Sequence, residues 1–143
     1  MWWIFALLSA FFAALTAIFA KVGIKNVNTD LATAIRTVMI LILAWGIVFF
    51  SGNTGKINEL NRQNWIFLIL SGITTGLSWL FYFRALQIGK VAQVAALDKL
   101  SVALAIILSI VFLHESITWK MAIGALLIIG GSIVMIFIMI FEH

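Results

Sequence analysis

Four charged side chains stand where apolar sequence encloses them on both sides: Arg36, Arg84, Asp98 and Lys99. Each lies in a run long and apolar enough to cross a bilayer. A charge at mid-bilayer costs roughly 2.5–3.5 kcal/mol even on a lenient scale, so such groups are by default read as lining a solute or ion path. The set is unbalanced, with one carboxylate, Asp98, against Arg36, Arg84 and Lys99. This surplus of positive charge leans toward a zwitterionic or anionic ligand. Asp98 and Lys99 are adjacent, so on a helix they point about 100° apart and cannot form one tight pair facing one way. Two structural readings compete with the functional one. Arg84 and Lys99, together with Lys21, can stretch along apolar surface to put their charge at the headgroups. Asp98 can instead neutralise Arg36 or Arg84 as a tie between helices. In the functional reading, Asp98 and a basic partner line a water-filled path.

Aromatic and amide side chains lie close to this charge in the sequence. Trp79, Tyr82 and Phe83 are spaced i, i+3 and i+4 and so share one helix face. Gln93 falls at a similar depth. An aromatic wall with a few polar groups describes a small-molecule site, and it equally describes ordinary packing. The candidate substrate-binding or pathway residues are therefore Arg36, Trp79, Tyr82, Arg84, Gln93, Asp98 and Lys99. Catalytic chemistry has no comparable support. The histidines are His114 and His143, and the acids Asp30, Glu59, Asp98, Glu115 and Glu142 are scattered. No metal spacing or nucleophile–base pattern occurs, and the chain has no cysteine. An enzyme is not expected, nor any metal or cofactor. Glu115, beside Ser116 and Thr118, is read as shaping a turn.

The elements that must position these residues follow from composition. Of 143 residues, 64% are hydrophobic and only 10% charged, where a soluble domain carries roughly 25% charge. Too little polar surface remains to cover a water-soluble globule, so lipid must solvate most of the surface. A bilayer core about 30 Å thick needs about 20 helical residues. Five runs qualify: Trp2–Val22, Leu31–Phe50, Trp65–Leu86, Val91–Leu113 and Trp119–Phe141. They lack the apolar–polar alternation of a barrel strand. The fold class is an all-α membrane protein with five transmembrane helices in one domain over residues 1–143. With no proline in the chain, no proline kink is expected. The first run has no preceding Lys or Arg and no A-x-A cleavage pattern, so it reads as a retained span rather than a signal peptide. Asp30, Asn64 and Thr118 are helix-capping types before the second, third and fifth runs, and Gly89 fits the end of the third. Residues 51–64 read as a polar surface loop.

An odd number of spans puts the termini on opposite sides, A for the N-terminus and B for the C-terminus. Trp2, Trp3, Trp65 and Trp119 then all fall at side A, as an interfacial belt requires. Arg36 lies about 9 Å in from side B, counting from Asp30 at about 1.5 Å per residue, and Asp98 and Lys99 lie about 10–12 Å in. Arg84 is nearer side B, and Lys21 ends the first run there. Four helices thus bring charge to one layer. Gly72 and Gly76 form a GxxxG, and Gly124 and Gly131 lie two turns apart. Such positions let backbones approach closely, either inside one bundle or against a second copy. The net charge of +4 suits spans that meet anionic headgroups; without a basic patch it does not indicate nucleic acid. Side A loops carry Lys56, Arg62 and Lys120, and side B loops carry Lys21, Lys25 and Lys90. That gives almost no orientation bias, and Arg36 and Arg84 tip the inside weakly toward side B.

The stretch Trp79-Leu-Phe-Tyr-Phe-Arg-Ala-Leu-Gln-Ile-Gly-Lys-Val-Ala-Gln-Val-Ala-Ala-Leu-Asp-Lys-Leu-Ser-Val102 resembles the third-to-fourth helix signature of the EamA-type drug/metabolite transporter superfamily. Phe112-Leu-His-Glu-Ser-Ile-Thr-Trp119 resembles its fourth-to-fifth junction, and Lys21-Val-Gly-Ile24 and Arg36 also fit. The likeness spans nearly the whole chain as one five-helix EamA half-unit. It implies a carrier of a small organic solute or metabolite. Ten-helix members of that superfamily look like two such units fused in inverted orientation, so a single unit is expected to work as a homodimer. Weak orientation bias would let the copies pair antiparallel. Transporter sites generally lie between two repeats, and this chain has no internal duplication to supply the second. Two departures stand out. The superfamily often has proline where Ala96 stands, so this fourth helix is expected to run unbroken. The related small multidrug transporters carry a glutamate in their first helix, and this first span has no acid, which argues against proton-coupled export of cationic drugs. The runner-up readings are a carrier or flippase for lipid-linked sugars and a non-transporting membrane assembly subunit. The expected partners are membrane lipid, a small-molecule solute and a second copy. The expected location is the plasma membrane of a bacterium or archaeon, multi-pass, the inner membrane where there are two.

Overall fold

A backbone crossing hydrocarbon must satisfy its own N–H and C=O groups, which leaves helices as the solution for these runs. The computed structural model describes residues 1–141; Glu142 and His143 lie outside the described residues. All regular elements among them are helical: α1 (Trp2–Gly23), α2 (Thr29–Phe50), a 3-10 helix (Asn53–Glu59), α3 (Arg62–Ile88), α4 (Val91–Asp98), α5 (Leu100–Leu113) and α6 (Trp119–Phe141). Five stretches are long and apolar enough to cross a membrane, with α4 and α5 together forming the fourth, Val91–Leu113.

Helix starts fall earlier than capping types alone suggest. Asn28, not Asp30, caps α2: its side-chain oxygen accepts from the N–H groups of Asp30 at 2.9 Å and Leu31 at 3.1 Å. Asn61, not Asn64, caps α3, accepting from the Asn64 N–H at 2.8 Å. Each cap occupies one of the otherwise orphaned N–H groups of a first turn. In both cases a second polar residue inside the helix mimics a cap in the sequence. Thr118 stands at the start of α6 as expected, its hydroxyl 3.4 Å from the Met121 N–H. Gly89 directly follows α3. The 51–64 connection is more structured than a loop, because the 3-10 helix fills it and α3 begins at Arg62. Gly52 enters that helix with φ of 69°, a left-handed conformation that costs glycine nothing.

The fourth span is not continuous. The Lys99 N–H donates to the Ala96 carbonyl at 3.2 Å, and the Val102 N–H to the Lys99 carbonyl at 3.0 Å. These i→i−3 bonds replace the α-ladder for a turn, a 3-10 tightening that occurs without proline. The expectation of an unbroken helix fails here, because the missing proline removes only one of several ways to interrupt a ladder.

The described chain divides into two compact units, one of residues 1–17 and 88–141, the other of residues 18–87. In the first, α6 packs along α4 and α5. Its inward stripe runs Ala122, Ala125, Ile129, Ser132, Ile136, Met139, a spacing of three and four that keeps one helix face in contact. Ser132, buried within it, donates to its own helix at the Ile128 carbonyl, 3.0 Å away. In the second unit, Phe83 and Leu86 are the fully buried side chains. The remaining large apolar side chains point mostly outward, Phe50 and Leu127 among them. In water that surface would be untenable, and in lipid it is ordinary.

Candidate functional site

The unit of residues 18–87 holds a chain of polar ties between the end of α1, the start of α2 and the end of α3. The Lys21 ammonium donates to the Leu86 carbonyl and reaches the Gln87 carbonyl at 3.5 Å. These are among the last carbonyls of α3, which lack helical partners and carry the negative end of the helix dipole. The Gln87 amide returns the tie, donating to the Val27 carbonyl at 2.9 Å and the Ile24 carbonyl at 3.2 Å. Lys21 therefore serves a helix terminus inside the protein, where sequence reasoning had it reaching for headgroups.

Arg84 is matched by Asp30. One guanidinium nitrogen donates to both carboxylate oxygens, at 2.9 and 3.1 Å. Asp30 stands in the first turn of α2, where the helix dipole favours a carboxylate. The sequence left Asp98 as one alternative partner for Arg84; the structure gives Arg84 the Asp30 carboxylate, and Asp30 is the residue that sequence reasoning missed. Its local signal pointed to a cap, and no sequence rule links it to an arginine 54 positions away.

Arg36 has a different neighbour. Its guanidinium carbon lies 3.2 Å from the centroid of the Trp79 ring and 5.0 Å from that of Phe83. The rings of Trp79 and Phe83 are 6.4 Å apart, and Tyr82 lies 6.4 Å from Phe83. A guanidinium over an aromatic face is attracted by the ring quadrupole, worth about 0.5–2 kcal/mol depending on desolvation. On α2, Thr29 and Thr33 lie seven and three residues before Arg36, on the same face and buried. The Thr33 hydroxyl is spent on the Thr29 carbonyl at 2.8 Å. Of the basic residues inside the spans, Lys21 has carbonyls, Arg84 has Asp30 and Lys99 has Asp98. Among the described residues no carboxylate or carbonyl accepts a hydrogen bond from Arg36.

In the unit of residues 1–17 and 88–141, Gln93 is half-buried in the first turn of α4. Asp98 and Lys99 flank the break in the fourth span. Their closest approach is 3.9 Å, with the Asp98 side chain 43% and the Lys99 side chain 56% exposed. The separation is what neighbours pointing about 100° apart on a helix permit. The structure thus divides the sequence-derived residues: Arg36, Trp79, Tyr82 and Arg84 fall in one unit, Gln93, Asp98 and Lys99 in the other. The glycines at Gly72, Gly76, Gly124 and Gly131 have open space where a side chain would begin, with no heavy atom within 4 Å of a built Cβ beyond their own helix. Among the described residues no cluster of three or more metal-ligating side chains occurs.

Comparison with known proteins places this architecture. The chain matches the EamA-like transporter family over residues 1–137. It is 48% identical over 134 residues to a Sinorhizobium sp. protein described as an uncharacterized transporter in the cobO 3' region, covering 94% of this chain and 95% of that one. No solved structure matches it. With helices that can span a membrane five times, the chain is a multi-pass membrane protein and belongs to the EamA-like transporter family.

Proposed function

We propose that this chain carries a small organic solute across a bacterial or archaeal plasma membrane as one half of a two-fold homodimer. The observation that carries the reading is the unfinished surface of a single copy. Asp98 and Lys99 stand about half exposed at a break inside a span. Ionic groups there need water or a neighbouring helix, since lipid gives them neither. Discontinuous spans recur at solute sites in transporters, where two repeats meet. One five-span unit supplies a single repeat, and the open glycine positions on α3 and α6 offer faces a second copy can approach closely. In this reading Gln93, Asp98 and Lys99 are the polar elements of the one unit, and Arg36 and Arg84, with Trp79 and Tyr82 as walls, those of the other. The copies pair antiparallel if both orientations insert, which the weak charge bias allows.

Purified protein in liposomes, assayed for uptake across a panel of amino acids, organic acids, amines and sugars, tests the reading. At least one solute is expected to move faster than in protein-free liposomes, and uniform failure across the panel overturns it. A topology reporter fused at the C-terminus tests the antiparallel arrangement, which a single clean orientation rules out.

A further inference from the structure

We infer that Arg36 is the substrate's anion-binding residue, so that the solute carried is an organic acid or zwitterion whose carboxylate docks on the Arg36 guanidinium beside the Trp79–Phe83 wall. This deepens the transporter reading and rests on it.

Three cations inside the spans of this chain lie beside oxygen groups. Lys21 donates to the terminal carbonyls of α3, Arg84 to both oxygens of Asp30, and Lys99 lies 3.9 Å from the Asp98 carboxylate. Arg36 differs, and it is set deeper in its span than Arg62 and Lys120 at the ends of α3 and α6. Its positive charge is held over Trp79, with Tyr82 near by, and among the described residues no carboxylate or carbonyl accepts from its N–H groups. A ring face attracts the guanidinium plane but accepts none of the five in-plane N–H donors. Those donors form a planar fork that matches a carboxylate in two parallel hydrogen bonds. The nearest acid along α2, Asp30, is already committed to Arg84.

Depth adds a second argument. Arg36 stands seven residues inside α2, about 10 Å from its start, and Trp79 nine residues before the end of α3, about 13 Å in. A guanidinium lying over that ring is kept within the span, at a place where an unmatched charge is costly. Binding an anion there removes the cost, so the anion is held more tightly than by an exposed arginine. The apolar part of the solute then meets the faces of Trp79 and Phe83, whose rings lie 6.4 Å apart.

An oxyanion at this place could come from a solute or from a lipid phosphate, and the experiment separates them. The probes are phenylacetate and its uncharged isostere phenylacetamide. Binding is read from the fluorescence contributed by Trp79, taken as the difference between the protein and its Trp79→Phe variant. The measurement is made in a neutral maltoside detergent and again in nanodiscs containing phosphatidylglycerol. Phenylacetate is expected to bind about ten- to a hundred-fold more tightly than phenylacetamide, the factor that hydrogen bonds to a charged group supply. Arg36→Gln is expected to erase that preference and Arg36→Lys to retain part of it, since lysine keeps the charge without the fork. Lys120→Gln, at the outer end of α6 and outside the pathway, is expected to leave it in place. Equal binding of the two probes to the unmodified protein overturns the inference and needs no variant to fold. So does an unchanged preference in Arg36→Gln. A site that phosphatidylglycerol fills and phenylacetate cannot enter assigns the anion to lipid and overturns it too. The transporter reading fails separately: probe binding without uptake of any solute sinks that reading alone, and uptake of a neutral solute unaffected by Arg36→Gln sinks only this one.

Discussion

Replacing Asp30 by Asn leaves Arg84 charged in its place near the end of α3 with no carboxylate. The contact being removed is one guanidinium nitrogen at 2.9 and 3.1 Å from two carboxylate oxygens. With charge centres about 4 Å apart, Coulomb's law gives about 1 kcal/mol in water and about 4 kcal/mol at an effective dielectric constant of 20. The side chains are 55% and 53% exposed, so the lower part of that range applies, and exposed pairs in water are worth at most about 1 kcal/mol. Placement at the edge of a span raises this somewhat, to a coupling of about 1–2 kcal/mol. Asp30→Asn alone is expected to cost a few tenths of a kcal/mol more, because a carboxylate in a helix's first turn is also favoured by the dipole, at about 0.3–1 kcal/mol. The assay is a double-mutant cycle of Asp30→Asn and Arg84→Gln, read by reversible unfolding in mixed micelles titrated with sodium dodecyl sulfate. The same cycle run with Asp98→Asn in place of Asp30→Asn is expected to be additive, since Arg84 already has its carboxylate. A coupling below about 0.3 kcal/mol for Asp30 and Arg84, within the ordinary error of additivity, would refute the reasoning. So would a larger coupling of Arg84 to Asp98.

Other substitutions probe separate parts of the same account. Trp79→Ala is expected to destabilise the protein by about 0.5–2 kcal/mol through loss of the ring under Arg36, and Arg36→Gln in that background to add little; the same unfolding titration decides. Phe83→Ala opens a cavity at a fully buried position and is expected to cost about 2–4 kcal/mol, toward the low end for a buried aromatic because the competing solvent is hydrocarbon rather than water. Gly124→Leu with Gly131→Leu meets open space within the chain, so monomer stability is expected to change by less than about 0.5 kcal/mol; energy transfer between labelled copies is expected to fall, and unchanged transfer frees that face of any role in pairing. Asn28→Ala removes the cap of α2 at an expected cost of about 1 kcal/mol, with Asn28→Asp restoring most of it.

The five spans, their order and their polarity follow from the linear sequence, because a bilayer imposes one length and one hydropathy on any crossing helix whatever its neighbours do. Thus Val91–Leu113 and Trp119–Phe141 are bounded in the sequence as they are in the structure. The family follows as well, since its motifs are written in residue order. Partners across the chain do not follow. Asp30 reads locally as a cap and turns out to hold Arg84, while Asn28, two residues earlier, does the capping. Nothing in the sequence chooses between Trp79 and a carboxylate as the neighbour of Arg36, because that choice depends on which faces of α2 and α3 meet. The break at Lys99 was equally hidden, since neither proline nor glycine marks it. Hydropathy acts on each segment alone and so is legible residue by residue; ion pairing, ring stacking and ladder breaks are set by distances of a few ångströms between segments, and those exist only once the helices have packed.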